Sequence, residues 1–487
     1  MSAPAAGCAP GLMGARLERL PLSRWHRTIV VLLAGALVFE YMDLYSFAFT
    51  APALMKHEGF TVHDVASITG ATGIGTLVGA GTGGWLANPF GRRPVLLACV
   101  VTYSLCSLLN AVVADPTGFL VLRFATAVGF QGMNVVTVVL LTELMPAPVR
   151  GRALAWAVAC GGAGPVLMAW LGFLVVPRVD WGWRVLYVVG ALALALFVVI
   201  LRRLPESPRW LESVGDHERA EVTMRAIEEQ IVRQGRPLPP IEAEPARPHV
   251  AADTGTGVLA LIRAGYVRPF SVTSVIWTLG IVAYFGFNYW VSTLLALRGY
   301  DLEQTTLYTA IIVTAGVLGP LAATSFADRW QRKHILVGVG ACLSVLALLS
   351  TLADSTVTTI ALACLLSFGF QLAVPPTSTY ASEVLPTRFR STGVGWATSF
   401  ARIANVVAAQ VISALLLAFG TDSVFYLVAA LEAAFALVVG LFGIRTRELT
   451  LEDVSSSEAA TAPARADSPP PVKVGVQPAD RPSTEGA

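Results

Sequence analysis

Charged residues are scarce in this chain. Asp, Glu, Lys and Arg make up 14% of its 487 residues, against about 25% in an average soluble domain. Apolar residues make up 55%, above the roughly 45–50% of soluble domains. The composition therefore argues against an ordinary soluble protein. The net charge of +2 gives no argument for a nucleic-acid partner, and none is expected.

Several site-forming patterns are also missing. The six cysteines include no C-x-x-C pair and the six histidines are dispersed, so neither disulfides nor a metal site is expected. The chain has no G-x-x-x-x-G-K-[ST] loop, which argues against ATP as an energy source. We therefore predict no metal, no cofactor and no enzymatic activity.

Long apolar stretches are abundant instead. About 20 apolar residues span the hydrocarbon core of a bilayer as a helix. Twelve such stretches occur, six in each half of the chain, near residues 28–51, 65–87, 94–113, 117–141, 152–176, 184–201, 269–294, 304–327, 335–353, 356–380, 393–418 and 422–444. The predicted fold is an all-α membrane protein, with twelve transmembrane helices in two pseudo-symmetric six-helix bundles surrounded by the lipid bilayer.

Landmarks of the first half recur 240 residues later. Residues 84–93 (GWLANPFGRR) align with residues 324–333 (TSFADRWQRK), and the pattern E-x-x-P-x-x-x-R that begins at Glu143 recurs from Glu383. Two unrelated loops would not share one offset, so the chain consists of two copies of one unit. A duplicated membrane bundle is typical of secondary transporters.

Lysine and arginine concentrate before the first span and in every second loop. The alternate loops carry only Lys56, Arg178 and Arg298, with Arg184 at a helix mouth. The positive-inside rule therefore places both termini in the cytoplasm, and we expect a monomer in the cell (inner) membrane. The predicted organisation is a cytoplasmic segment (1–27), a six-helix bundle (28–202), a cytoplasmic linker with an amphipathic helix (203–265), a second bundle (266–446) and a disordered cytoplasmic tail (447–487).

The duplicated loop resembles the signature loop of the major facilitator superfamily. The pattern R-x5-G from Arg123, the pattern from Glu143 and the sequence PESPRWL at 205–211 resemble the branch of sugar porters, organic-ion transporters and bacterial aromatic-acid symporters. The resemblance covers about residues 25–445. The loop departs from the family where Asn88-Pro89 replace an acidic–basic pair and Thr324 replaces a glycine, which implies a weaker N-terminal gating loop.

A finer resemblance is to bacterial nicotinate-type metabolite:proton symporters. It rests on Arg268-Pro269 followed by Trp277, and on the sequence FARIA at 400–404. This resemblance implies that a small organic molecule and protons are the transported species.

Ionisable residues inside spans are costly and normally face a cavity or a partner. Asp43 lies in the first span with Glu40 one turn earlier, and Arg123 lies in the fourth span. In the sugar porters that this chain resembles, an aspartate of helix 1 and an arginine of helix 4 form the proton-coupling pair, and Asp43 and Arg123 match these positions. We therefore assign Asp43, Arg123 and Glu40 to proton coupling. The alternative is a static ion pair between the two helices.

Arg402 lies about nine residues into the eleventh span, with no acidic residue one turn away on its own helix. Its guanidinium stays charged and presents a planar fork that fits a carboxylate. In resembling organic-ion transporters, an arginine at this position accompanies anionic substrates. Arg402 is therefore predicted to bind an anion. The alternative is a structural pair with an acidic residue of another helix, for which Glu432 is the candidate.

Aromatic and amide residues of other spans complete the predicted substrate site, because aromatics form flat apolar walls and amides orient polar edges. These residues are Tyr41, Gln131, Asn134, Trp277, Tyr284, Asn288, Gln371 and Asn405. Each of them could instead serve only in packing or at the membrane interface.

The duplicated loops are predicted to form a cytoplasmic gate, because arginines there can bind carboxylates and helix ends. Glu143 and Glu383 are the expected partners of the arginines, latching the two halves together in the outward-facing state. The predicted gate residues are Arg92, Arg93, Glu143, Arg150, Asp328, Arg332, Glu383 and Arg390. The alternative is that these charges only set the topology.

The sequence thus predicts a secondary transporter that imports a small organic anion with protons by alternating access. The favoured substrate class is an aromatic monocarboxylate. Sugar or polyol uptake with protons is an alternative, against which Arg402 argues. Efflux of a drug or metabolite is another; Gly164-Pro165 begins a motif of drug antiporters that the following residues do not complete. A sensor without transport activity is the third.

Overall fold

The computed structural model describes residues 12–240, 258–263, 265–323, 325, 331–385 and 390–444. Helices are the only regular structure in these residues. The predicted tail from residue 447 onward and Asp328 of the predicted gate lie outside the described residues.

The helices of the first bundle are α2 (Arg24–His57), α3 (Val62–Phe90), α4 (Arg92–Asn110), α5 (Pro116–Leu144), α6 (Ala147–Gly161), α7 (Ala163–Val175), α8 (Gly182–Ala191) and α9 (Ala193–Arg203). Those of the second bundle are α13 (Val267–Asn288), α14 (Val291–Leu297), α15 (Leu302–Ala323), α16 (Arg332–Thr351), α17 (Thr356–Val384), α18 (Arg390–Phe419) and α19 (Asp422–Phe442). Short helices outside the bundles are α1 (Leu12–Glu18), α10 (Pro208–Ser213), α11 (His217–Val232) and α12 (Val258–Arg263).

In the described part of the chain, 11 helices are long and apolar enough to cross a membrane, where α6–α7 and α8–α9 each count as one. The predicted span at 65–87 falls in the one further long helix of the first bundle, which this hydropathy criterion does not include. The helix that falls short is α3, whose 29 residues extend about 43 Å but are rich in glycine and threonine. It nevertheless occupies a full position in the bundle, because it packs against α5 and α18.

Local signals in the sequence set the helix starts. Thr61 and Asp64 form a capping box at α3, in which the Asp64 amide donates to Thr61 Oγ1 at 3.2 Å and the Thr61 amide donates to Asp64 Oδ2 at 2.9 Å. Asp115 caps α5 by accepting the Gly118 amide at 2.6 Å, with Pro116 at the first helical position. These caps satisfy backbone donors that have no partner inside the helix.

The same close contact between two helices occurs within each bundle. A Cβ atom on Gly79 would lie 2.4 Å from the carbonyl oxygen of Val128, and one on Gly319 would lie 2.5 Å from that of Phe368. Only glycine permits such an approach of two helix backbones. Both residues of the second contact lie 240 positions after those of the first, so the sequence repeat is also a repeat of packing.

Three short helices cover the first bundle at the end that carries the arginine-rich loops, hereafter the arginine-rich end. Arg16 of α1 donates to Glu221 at 2.5 Å and to Glu228 at 2.6 Å on α11, and Arg19 donates to Glu228 at 2.6 Å. Burial opposes ionisation of Glu228, yet the bonds from both arginines hold its pKa below the ordinary value. Helix α11 falls within the stretch predicted to be an amphipathic helix, and ion pairs fasten it to the segment before α2.

The glycine contact predicts different tolerances at two neighbouring positions of α3. Gly79→Ala should destabilise the protein by about 1–3 kcal/mol, because α3 and α5 must separate or distort. Gly81→Ala is the matched control, since a Cβ there would meet nothing within 4 Å, and it should leave stability unchanged or slightly raised. Thermal unfolding of the purified protein in detergent measures both. Equal melting temperatures for the two variants would contradict the packing argument.

Candidate functional site

A cavity of about 470 Å³ lies between the two bundles. Helices α2, α3, α5 and α7 line it from the first bundle, and α13, α15, α17, α18 and α19 line it from the second. Its volume falls within the roughly 300–1,000 Å³ of small-molecule sites.

Contacts between the bundles close the cavity at the end away from the arginine-rich loops. The hydroxyls of Tyr45 and Tyr284 lie 2.7 Å apart there, and Trp170 Nε1 donates to Thr314 Oγ1 at 3.0 Å. At the arginine-rich end, no hydrogen bond or ion pair joins the two bundles among the described residues. The polar contacts that the described residues make between the bundles therefore lie at the end away from the arginine-rich loops.

All nine residues predicted to bind substrate line this cavity. They are Tyr41, Gln131, Asn134, Trp277, Tyr284, Asn288, Gln371, Arg402 and Asn405. Glu40 lines it as well, whereas Asp43 and Arg123 lie behind the wall of the first bundle. The structure thus separates the predicted coupling residues into one that faces the cavity and two that do not.

Asp43 and Arg123 form an ion pair of 2.8 Å, and both side chains are fully buried. The second carboxylate oxygen of Asp43 accepts a hydrogen bond from Ser107 at 2.9 Å. Arg123 also donates to Ser46 Oγ at 3.3 Å. Both carboxylate oxygens are satisfied, which a buried ion pair requires if its attraction is to offset the loss of hydration.

Glu40 lies one turn before Asp43 on α2, and its carboxyl is 4% exposed. Its Oε2 accepts a hydrogen bond from Asn134 Nδ2 at 2.7 Å. Across the cavity, Glu40 interacts electrostatically with Arg402. The first bundle therefore contributes a carboxyl group that faces the cation of the second.

Arg402 forms no hydrogen bond or ion pair with any residue that the structure describes, although it lines the cavity. The alternative of a structural pair with Glu432 is not realised. Electrostatic interactions link Arg402 to Glu40 and Tyr41 instead. The donors of the guanidinium are therefore available to a ligand.

The other polar groups of the cavity differ in their availability. Asn288 is used within the second bundle, because its Oδ1 accepts from Ser367 at 3.0 Å and its Nδ2 donates to the Tyr284 carbonyl at 3.2 Å. Trp277 Nε1 is buried without a hydrogen-bond partner in the described structure. The Trp277 indole N–H therefore has no partner among the described residues, whereas the Asn288 amide is already hydrogen-bonded within the second bundle.

Some cavity residues were not predicted from the sequence as part of the site. They include five hydroxyl-bearing residues, one proline and one acid: Thr69, Thr72, Thr76, Pro165, Ser367, Thr377 and Glu432. The three threonines of α3 recur at helical spacing on one face, and this spacing is a signal that could have revealed them.

The glutamates of the predicted gate bind arginines of their own bundle. Arg92 donates to Glu143 at 3.0 Å, and Arg332 lies 3.3 Å from Glu383. The second oxygen, Oε2, of each glutamate is buried without a partner among the described residues. At the arginine-rich end, each bundle therefore has one glutamate with one carboxylate oxygen paired to an arginine and the other without a partner among the described residues.

Arg150 has a different partner in this structure from the glutamates expected in the outward-facing state. Arg150 pairs with Glu18 at 2.5 Å, and Glu18 also accepts from Arg209 at 2.6 Å. The α1 helix places this carboxylate closer to Arg150 than either predicted glutamate. Arg93 donates to the Leu201 carbonyl at 2.5 Å. The side chain of Arg390 lies outside the described residues.

Two helix bundles that share a repeat and enclose a polar cavity define the architecture of a secondary transporter. The model of the Major Facilitator Superfamily matches residues 33–409, and the chain belongs to this superfamily. It is a multi-pass membrane transporter of small molecules and not an enzyme.

Relatives support the same assignment. The chain is 30% identical to the putative metabolite transport protein YyaJ of Bacillus subtilis, over 88% of this chain and 95% of the relative. It is 29% identical to the niacin transporter NiaP of Acinetobacter baylyi, over 90% and 98%. It is also 29% identical to the 4-hydroxybenzoate transporter PcaK of Pseudomonas aeruginosa, over 86% and 94%.

A solved structure shows the fold. The inward-open xylose transporter XylE of E. coli superposes with a TM-score of 0.67 at 19% identity, over 89% of this chain and 99% of that one. The predicted fold class and superfamily are therefore confirmed.

Proposed function

We propose that this transporter imports a small organic anion, an aromatic monocarboxylate, together with protons. The observation that carries the proposal is the unpaired guanidinium of Arg402 in a cavity with aromatic walls. The names of two relatives, a niacin transporter and a 4-hydroxybenzoate transporter, support the same substrate class.

Charge supports an anionic substrate. Arg402 is the only basic residue among the described residues that line the cavity. A desolvated cation without a partner is costly, and a bound carboxylate would remove that cost. Because the planar fork of the guanidinium matches the two oxygens of a carboxylate, the match gives orientation as well as affinity.

Shape supports an aromatic substrate. Tyr284 packs edge to face on Phe285 and Phe370, with ring centroids 5.1 and 6.0 Å apart. All three residues line the cavity, as do Tyr41 and Trp277. Aromatic faces and edges favour a flat ring, so a benzoate-like or pyridine-like acid fits better than a polyhydroxylated sugar.

Proton coupling is proposed for Asp43, Arg123 and Glu40. Asp43 forms an ion pair with Arg123 at 2.8 Å and does not line the cavity. Movement of α5 relative to α2 would separate this pair, and a carboxylate that loses its cation in a dry interior takes up a proton. Glu40 faces Arg402 across the cavity, so an arriving anion competes with Glu40 for the guanidinium.

We further propose that the arginine-rich end is cytoplasmic, as the positive-inside rule requires, and that both chain ends lie on that side. Closure of this end would bring an arginine of each bundle to the free Oε2 of Glu143 or Glu383. The proposed gate comprises the pairs that each bundle forms within itself, Arg92–Glu143 and Arg332–Glu383, with Arg93, Arg150, Asp328 and Arg390 as further members. The proposed domain boundaries are those predicted from the sequence.

The coupling proposal is tested by Asp43→Asn in proteoliposomes with an imposed pH gradient. Uphill accumulation of substrate should be lost while exchange of labelled for unlabelled substrate persists, because exchange needs only the cavity and its rocking. Asp354→Asn, an exposed acid, is the matched control and should accumulate substrate normally. If Asp43→Asn still concentrated substrate, Asp43 would not carry the proton.

The anion proposal is tested by titrating an aromatic acid and its amide against three proteins. Arg402→Ala should weaken binding of the acid by about thirty-fold or more, because truncating one partner of a desolvated charge pair costs about 2–5 kcal/mol. Arg402→Lys should restore only part of the affinity, since a point charge cannot make the forked contact. The amide should bind weakly to all three. Equal losses for acid and amide would reduce Arg402 to a structural role.

The gate proposal is tested with a single cysteine at Thr69, a cavity residue of α3, in a background free of native cysteines. Glu143→Gln combined with Glu383→Gln should lower labelling of this cysteine from the outside, because only the outward-facing state gains from closure of the arginine-rich end. Glu303→Gln, an exposed acid at the opposite end, is the control. Unchanged labelling and transport would mean that these charges serve topology alone.

A further inference from the structure

Glu432 is a buried acid that nothing in the preceding mechanism uses. It lies in the middle of α19, is 3% exposed and lines the cavity. It forms no hydrogen bond or ion pair with any part of the chain that the structure describes. A carboxyl group without a partner inside a membrane bundle is expensive, and such groups normally mark a ligand or an ion path.

The packing of α19 directs this carboxyl group into the cavity. On one side of α19, a Cβ atom on Gly340 of α16 would lie 3.3 Å from the carbonyl oxygen of Glu432. One turn further along, Phe435 reaches α13, where a Cβ on Gly280 would lie 3.7 Å from its ring. The backbone of α19 is therefore held against α16 and α13, and the Glu432 side chain faces the open space.

Glu432 and Arg402 stand on either side of one helix. Helix α13 packs against both α18, which carries Arg402, and α19, which carries Glu432. Trp277 lies on α13 one turn before Gly280, lines the same cavity and has a buried Nε1 donor without a partner. The second bundle thus presents a cation, an indole donor and a carboxyl acceptor around a single helix.

We propose that Glu432 and Trp277 recognise a hydroxyl group on the substrate, at the end opposite to the carboxylate that Arg402 binds. A hydroxyl both donates and accepts hydrogen bonds. One substrate hydroxyl would therefore donate to the Glu432 carboxylate and accept from the Trp277 Nε1–H. The substrate class is then a hydroxylated aromatic monocarboxylate. This inference rests on the proposed function and narrows it.

The expected consequence is selectivity. A site built to hydrogen-bond a substrate hydroxyl discriminates against analogues that lack it, because the polar groups of the site are then left unpaired. The wild-type protein should therefore prefer 4-hydroxybenzoate to benzoate and to 4-methoxybenzoate by about tenfold or more. Arg402 contributes equally to all three acids, so it cannot produce this preference.

The experiment is a binding titration of these three acids against wild type, Glu432→Gln and Glu432→Leu, with the folding of each variant checked by its thermal unfolding. Glu432→Leu should bind 4-hydroxybenzoate about tenfold less tightly than wild type and leave benzoate within about twofold. Glu432→Gln, which keeps an amide oxygen as acceptor, should retain part of the preference. It also decides the question if the leucine variant does not fold.

Two results would overturn this inference while leaving the anion proposal intact: equal affinity of wild type for hydroxy and methoxy acids, or equal losses of all three acids in the Glu432 variants. Failure of wild type to bind any of the three acids would overturn both proposals. Trp277→Phe provides an independent check, because it keeps the aromatic wall and removes only the donor. It should lower the ratio of the affinities for 4-hydroxybenzoate and benzoate, and an unchanged ratio would remove Trp277 from the proposed hydroxyl site.

Discussion

The cost of a charge without a counter-charge inside the membrane governs the arrangement of this transporter. The first bundle offsets this cost within itself, because Asp43 and Arg123 form a 2.8 Å ion pair and both side chains are fully buried. The second bundle does not, since Arg402 and Glu432 face the cavity without a direct partner among the described residues. The positions 240 residues after Asp43 and Arg123 are alanines, Ala283 and Ala363, so the repeat has not duplicated the pair. The two halves have therefore diverged in their charges: one holds a buried ion pair, and the other has charged residues that line the cavity.

The repeat has preserved a helix–helix contact and an ion pair in each bundle. The close contact of Gly79 with Val128 recurs as that of Gly319 with Phe368, and the pair of Arg92 with Glu143 recurs as that of Arg332 with Glu383. The first contact holds two helices close together within each bundle, which rigid-body movement of a bundle would require. The second leaves a free carboxylate oxygen on each bundle at the arginine-rich end. A rocking motion between two access states requires that each bundle keep its internal packing.

The residues that the sequence predicted for the candidate site carry local signals. A charged or amide residue inside an apolar span is costly unless it faces a cavity or a partner, and aromatic residues form flat walls for a ring. All nine residues chosen on these grounds line the cavity. Two features depended on contacts between distant parts of the chain. Glu18 reaches Arg150 across more than a hundred residues, and no spacing rule relates them. Glu432 could be seen as an interior charge, but its freedom from Arg402 depends on how α18 and α19 both pack on α13. Helix α3 was counted among the apolar spans although its glycines and threonines suit it to helix contacts more than to lipid.

The position of Arg402 on α18 links the anion site to the closed end of the cavity. Val406, one turn beyond Arg402, lies so near α3 that a Cβ on Gly73 would be 2.7 Å from its side chain, and Gln410 a further turn on reaches within 3.4 Å of the same position at Gly70. The cation that would hold the substrate and the residues that join the two bundles therefore belong to one helix. A helix transmits displacement along its axis with little loss, because each turn is hydrogen-bonded to the next. A ligand that draws Arg402 toward Glu40 and the first bundle consequently acts on the same helix whose contacts with α3 must separate before the opposite end can open.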